Sequence, residues 1–228
     1  MKNKLYLNSA FFCYSISFLV LIIILLMPNI YLNTNLRFIL LSIICILIYI
    51  GGLILVKKLN YTNKILKINL VIYFLIYTVT IFSLTLFEEI YGRQGLIIID
   101  WDKNLLQTYL QTSFNIIPFN TIKLFINGYI NDLVTLKDFI INVIGNFCAF
   151  MPYAIFIPLM FKGINKYYKF LIIMVITIIL IELLQFITMS GSCDIDDLIL
   201  NLLGVSIIYF ITRIKCINRF IHRLFLSE

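Results

Sequence analysis

The stretch Asp194-Ile-Asp-Asp-Leu-Ile-Leu-Asn201-Leu-Leu-Gly204 sets carboxylates and an amide at the mouth of an otherwise apolar segment. Asp194, Asp197, Asn201 and Gly204 follow the spacing i, i+3, i+7, i+10, which is one stripe of a helix. Asp196 lies about 100° around the helix from Asp197, so it is expected to matter less. The apolar run continues through Val205-Ser-Ile-Ile-Tyr-Phe-Ile211, long enough to carry the stripe into a membrane. Ionisable groups at such a place are costly and point to function. Upstream, Glu182 and Gln185 form a second polar pair inside a hydrophobic run, and Asn142 and Asn146 form a third.

Composition agrees with this reading. The chain is 62% hydrophobic and 13% charged, whereas soluble domains are about half apolar and a quarter charged. Its length allows about six helices of about twenty residues, with no room for a sizeable soluble domain. The expected fold is all-α, a polytopic transmembrane bundle and a single membrane domain over 1–228. The spans are expected at 10–27, closed by Pro28, then 36–56, 69–87, 139–161, 170–189 and 195–214. Lys2 and Lys4 ahead of the first run resemble a signal peptide, but the run is long and lacks a small-residue cleavage site. It is expected to remain as a span.

The net charge of +7 does not imply nucleic acid, because the basic residues flank apolar runs. Counting them by side gives an orientation. Lys2, Lys4, Lys57, Lys58, Lys64, Lys67, Lys162, Lys166, Lys169, Arg213, Lys215, Arg219 and Arg223 share one side. That side is expected to be cytoplasmic and to hold both termini, in a multi-pass bacterial cell-membrane protein. Apart from Glu228, the acids fall on the outer side or in outer halves of spans.

The long outer segment, 91–138, contains Pro118, which breaks its apolar run. Asn120 or Thr121 can cap a short amphipathic helix there. Ile122, Phe125, Ile126, Tyr129 and Leu133 would share one face of it. A helix lying on the outer membrane surface is expected, with a substrate lid as the sharper alternative.

With this topology the polar pairs reach one level. Asn146 and Glu182 fall about 10 Å below the outer ends of their spans, and Asn201 about 8 Å into its own. Small Gly145 and Ala149 on the Asn142–Asn146 face favour close helix approach. A binding site built from Asn142, Asn146, Glu182, Gln185, Asp194, Asp197 and Asn201, open outward, is the expectation. Asn and Gln in membrane helices also serve as plain interhelical hydrogen-bonding groups, and Asp194 can simply cap its helix. Glu182 has no cation nearby in the outer halves. A protonated acid, a bound divalent cation or a cationic ligand all remain open for it.

Other chemistries find no footing. The cysteines at 13, 45, 148, 193 and 216 show no paired spacing, so no disulfide or zinc framework is expected. Ser190 and Ser192 have no histidine on their side, and His222 sits among Arg219 and Arg223 as a surface residue. No phosphate loop or H-E-x-x-H pattern occurs. Gly51-Gly52 and Pro152 are possible helix breaks, without the paired halves of a transporter.

At these residues the chain resembles the VanZ-like family of bacterial membrane proteins. The matching pieces are Asn115-Ile-Ile-Pro-Phe119, Asn142-Val-Ile-Gly-Asn146 with Phe150 and Pro152, Glu182-Leu-Leu-Gln185, and the Asp194–Gly204 stretch. The resemblance is strongest over 69–212. It implies an envelope role linked to glycopeptide resistance and teicoplanin, with a lipid-linked wall precursor or the glycopeptide itself as partner beside the lipid bilayer. Family members often carry an arginine before the Asp motif; here the turn Met189-Ser-Gly-Ser-Cys193 has none. A membrane-embedded, metal-assisted enzyme acting on a lipid or isoprenoid phosphate, and a small transporter, are the alternatives.

Overall fold

The computed structural model describes residues 2–26, 34–61, 63–86, 103–188 and 191–225. Pro28, the acids Glu88 and Glu89, residues 91–102 of the long segment, and Met189 and Ser190 lie outside the described residues. The structure is essentially all helical. Among the described residues, six helices are long and apolar enough to cross a membrane: Lys2–Ile24, Leu36–Lys58, Lys64–Leu86, Leu136–Met160, Tyr167–Thr188 and Ile195–Thr212.

The chain forms two compact units, residues 1–76 with 218–228, and residues 77–217. The first holds α1 (Lys2–Leu26), α2 (Thr34–Leu53) with a π-helical turn at Ile54–Lys58, and the start of α3 (Lys64–Leu86). Asn69, 2% exposed, joins these helices. It accepts from the Tyr14 hydroxyl at 3.1 Å and donates to the Ile48 carbonyl at 3.1 Å. A side chain at Gly52 would meet the Asn69 amide at 2.4 Å, so the glycine makes room for this link. Gly51 and Gly52 lie inside α2 and do not break it.

The second unit contains every residue of the expected site. Helix α4 (Lys103–Thr112) leads to β1 (Phe114–Asn115) and α5 (Asn120–Ile130). The fourth span is composite. It runs as α6 (Leu136–Phe139), a π-helical stretch (Ile140–Gly145), α7 (Asn146–Ala149) and α8 (Tyr153–Met160). It starts three residues earlier than expected, and Thr135 caps it by accepting the Asp138 amide. Pro152 has no N–H to continue the ladder, and the helix breaks just before it. The Ala149 carbonyl, left without its usual helical donor, accepts the Tyr77 hydroxyl instead.

The fifth and sixth spans are α9 (Tyr167–Thr188) and α10 (Ile195–Thr212), joined through β2 (Cys193–Asp194), with α11 (Lys215–Phe225) closing the described chain. Phe170, Met174 and Ile178 recur every four residues on α9 and are fully buried. Phe170 stacks on Tyr209 of α10 at 4.8 Å. Parallel pairing of Phe114 with Cys193 and Asn115 with Asp194 ties the α4–α5 connection to the α9–α10 connection. Tyr109 reinforces the tie by donating to the Gly191 carbonyl at 2.7 Å.

Helix α5 is the short helix expected after Pro118, and it ends at Ile130, before Leu133. Ile122 and Phe125 are half-buried and Gly128 is buried. Ile126, Tyr129 and Leu133 are exposed, Leu133 at 82%. The inward side is therefore formed by Ile122, Phe125 and Gly128, with Val134 folded against Gly128, where a Cβ would lie 2.5 Å from the Val134 side chain.

Candidate functional site: a polar cleft under a short helix

The site is built on the N-terminus of α10. Asp194 caps that helix, its carboxylate accepting the Asp196 amide at 2.9 Å. The same oxygen accepts the Asn115 side-chain amide at 2.9 Å, and Asn115 also donates to Thr121 at 3.0 Å. The capping role that the sequence allowed for Asp194 is thus present, and it reaches the α4–α5 connection as well.

Asp196 departs most from expectation. It has no exposed surface. One oxygen accepts the Phe119 amide at 2.5 Å, and the other accepts the Ile122 amide at 3.0 Å. These are unsatisfied donors at the start of α5, where the helix dipole favours an anion. Neither Asn120 nor Thr121 supplies the cap; Phe119 occupies the N-cap position without a side-chain bond. Phe119 has φ 66°, a left-handed conformation costly for a side chain with a Cβ. The Asp196 carboxylate holds that turn. Turning away from the Asp197 stripe makes Asp196 a clamp rather than a bystander.

Asp197, on the stripe, accepts from the Asn146 side chain. Asn146 also donates to the Asn142 carbonyl at 3.0 Å, and Asn142 donates to the Asp138 carbonyl at 2.8 Å. These asparagines lie on and just after the π-helical stretch, whose wider turn is frequent at functional sites. Asn201 is 3% exposed and donates to the Asp197 carbonyl of its own helix at 2.8 Å. Its Oδ1 is buried with no hydrogen-bond partner among the described residues. Two turns of α10 pack hard against α7 here. A Cβ at Gly204 would sit 1.8 Å from the Phe147 carbonyl oxygen.

The second expected pair divides. Glu182 is half-buried and accepts the Asp194 backbone amide at 3.2 Å, so it faces the α9–α10 connection. Gln185, 2% exposed, donates to the Thr85 carbonyl of α3 at 2.9 Å. It links helices and stands apart from the other residues.

Between α5 and the α10 N-terminus lies a cleft of about 550 Å³. Of the expected site residues, Asn142, Asp194 and Asp197 line it; Asn146, Glu182, Gln185 and Asn201 do not. Asn115, Asn120, Thr121 and Asp196 join them at its polar side, and Ile116, Ile117, Leu124 and Phe125 form apolar wall. Asn115 and Asp196 were legible only through the motif pieces that contain them. Their roles depend on contacts across about 80 residues of chain.

The electrostatics are those of an acid-rich end. Cys193, between the spans, has its thiol pushed up to about 11 by burial, with Glu182, Asp194 and Asp197 adding repulsion toward a thiolate. Among the described residues no group of three His, Cys, Asp or Glu side chains is arranged to hold a metal ion. Asp194, Asp196, Asp197 and Glu182 each accept at least one N–H donor.

The described second unit, residues 77–217, coincides with a family match. No curated protein and no solved structure matches the chain. The VanZ/LLP1 family matches over residues 74–216, more than half of the sequence, and the chain belongs to that family.

Proposed function

We propose that this membrane protein uses the cleft to bind the polar head and adjoining apolar part of an amphiphile at the outer membrane surface. Bound there, a lipid-linked wall precursor or the glycopeptide itself is kept from productive encounter. Susceptibility to glycopeptides such as teicoplanin is thereby lowered. The observation that carries this reading is the lining. Asn115, Thr121, Asn142 and Asp197 offer amide, hydroxyl and carboxylate groups beside the apolar Ile116, Ile117 and Phe125. Neither lysine nor arginine is among the described lining residues, so the lining meets hydroxyl, amide or amine groups of the head rather than its phosphates. The metal-assisted enzyme reading loses support with the carboxylates committed to N–H donors. Family membership supports the envelope role.

The orientation belongs to the same proposal. Tyr209 donates to the Asn165 carbonyl at 2.5 Å, and Arg213 to the same carbonyl at 3.3 Å. This gathers Lys162, Lys166 and Arg213 at the end of α10 opposite the acids. By the positive-inside rule this charge distribution supports a cleft on the outer side. The test is expression in a teicoplanin-susceptible Gram-positive host. Wild type should raise the inhibitory concentration, and Asn142→Ala and Asp197→Ala should remove the gain at equal membrane protein levels. No change with wild type across several hosts would refute the proposal.

A further inference from the structure

Helix α11 divides into three faces at about 100° per residue. Lys215, Arg219 and Arg223 fall on one face. Ile221, 9% exposed, and Phe225, whose ring meets Tyr73 edge-on at 6.3 Å, fall on a second. Between the basic face and the remaining apolar side lie Cys216 and Phe220, both exposed, Phe220 at 63%. The helix starts three residues after α10 ends, following Ile214, itself 53% exposed. A short helix with one face packed, one apolar face open and a basic face beside it suits the boundary between acyl chains and head groups. We propose that α11 is a binding site for anionic lipid head groups, with Phe220 set among the acyl chains and Lys215, Arg219 and Arg223 on the lipid phosphates. A phosphate-lined surface complements the basic face, and the open apolar face flanking it favours lipid over nucleic acid.

This site is separate from the cleft and does not depend on its ligand. Binding to the folded state raises the unfolding temperature. The test measures that temperature for the full-length protein in neutral detergent, titrated with phosphatidylglycerol, phosphatidylcholine or inorganic phosphate. Phosphatidylglycerol should raise it, and the other two should not. Arg219→Gln combined with Arg223→Gln should lose the rise, while Lys57→Gln combined with Lys58→Gln should keep it. An equal response to phosphatidylcholine or to phosphate alone, or an unchanged response in the Arg219, Arg223 variant, would overturn the proposal. So would loss of the rise in the Lys57, Lys58 variant, which would make the effect one of general charge. If the Arg219, Arg223 variant does not fold, Lys215→Gln alone should weaken the phosphatidylglycerol response, and an undiminished response would contradict the proposal.

Discussion

Asp196 and Asp197 are neighbours in sequence with different work. Asp196 is wholly buried and satisfies two amides at the start of another helix, whereas Asp197 accepts from the Asn146 side chain of the fourth span. Removing the Asp196 carboxylate leaves buried donors unpaired and releases the left-handed turn at Phe119. Charge-assisted hydrogen bonds are worth about 1.5–3 kcal/mol. Asp196→Ala should therefore lower stability by about 2 kcal/mol or more, and Asp197→Ala by less, as chemical denaturation of the purified proteins will show. Equal losses would mean that Asp196 does not hold α5. The thiol of Cys193 allows a second check. Its pKa is raised, so the neutral form persists in the fold at pH values where an ordinary thiol ionises. In a protein retaining only Cys193, alkylation should stay slow through pH 9 and accelerate toward about 11. Rapid reaction at pH 8 would contradict that environment. Helical spacing made Asp194, Asp197 and Asn201 legible as a stripe. It could not show that a carboxylate off the stripe meets a chain segment 74 residues earlier.

At the scale of elements, hydropathy located the spans because apolar runs of that length have few alternatives. It could not distinguish a continuous fourth span from the broken one. That distinction rests on Pro152 and on the π-helical stretch, where local hydrogen bonding and packing decide the path. The same limit applies to α5. An amphipathic pattern names apolar positions but not which of them meets lipid. Gly204 offers a sharp test of the α7–α10 contact, since a Cβ there overlaps the Phe147 carbonyl. Gly204→Ala should force the helices apart and lower the unfolding temperature, while the same change at Gly163, where a Cβ meets nothing within 4 Å, should be nearly neutral. A double-mutant cycle of Asn146→Ala and Asp197→Ala should return a coupling of about 1 kcal/mol, as for polar pairs in membrane helices. Additive losses would remove Asn146 as the partner of Asp197.

Across the whole molecule, the sequence carries a charge gradient along its spans, and the structure gives it two ends within the second unit. Acids surround the cleft, and lysines and arginines gather near Asn165. The gradient was legible because topology requires only counting. The cleft was not, because it is made by β1, α5 and the α10 N-terminus meeting across long sequence separations. The central claim is that this cleft opens on the outer face of the cell. Single cysteines at Asn120→Cys, on the cleft, and Lys166→Cys, at the basic end, test it most directly in an otherwise cysteine-free protein. With a membrane-impermeant maleimide on intact cells, Asn120→Cys should label at once and Lys166→Cys only after permeabilisation. Labelling of Lys166→Cys on intact cells, with Asn120→Cys protected, would contradict the account.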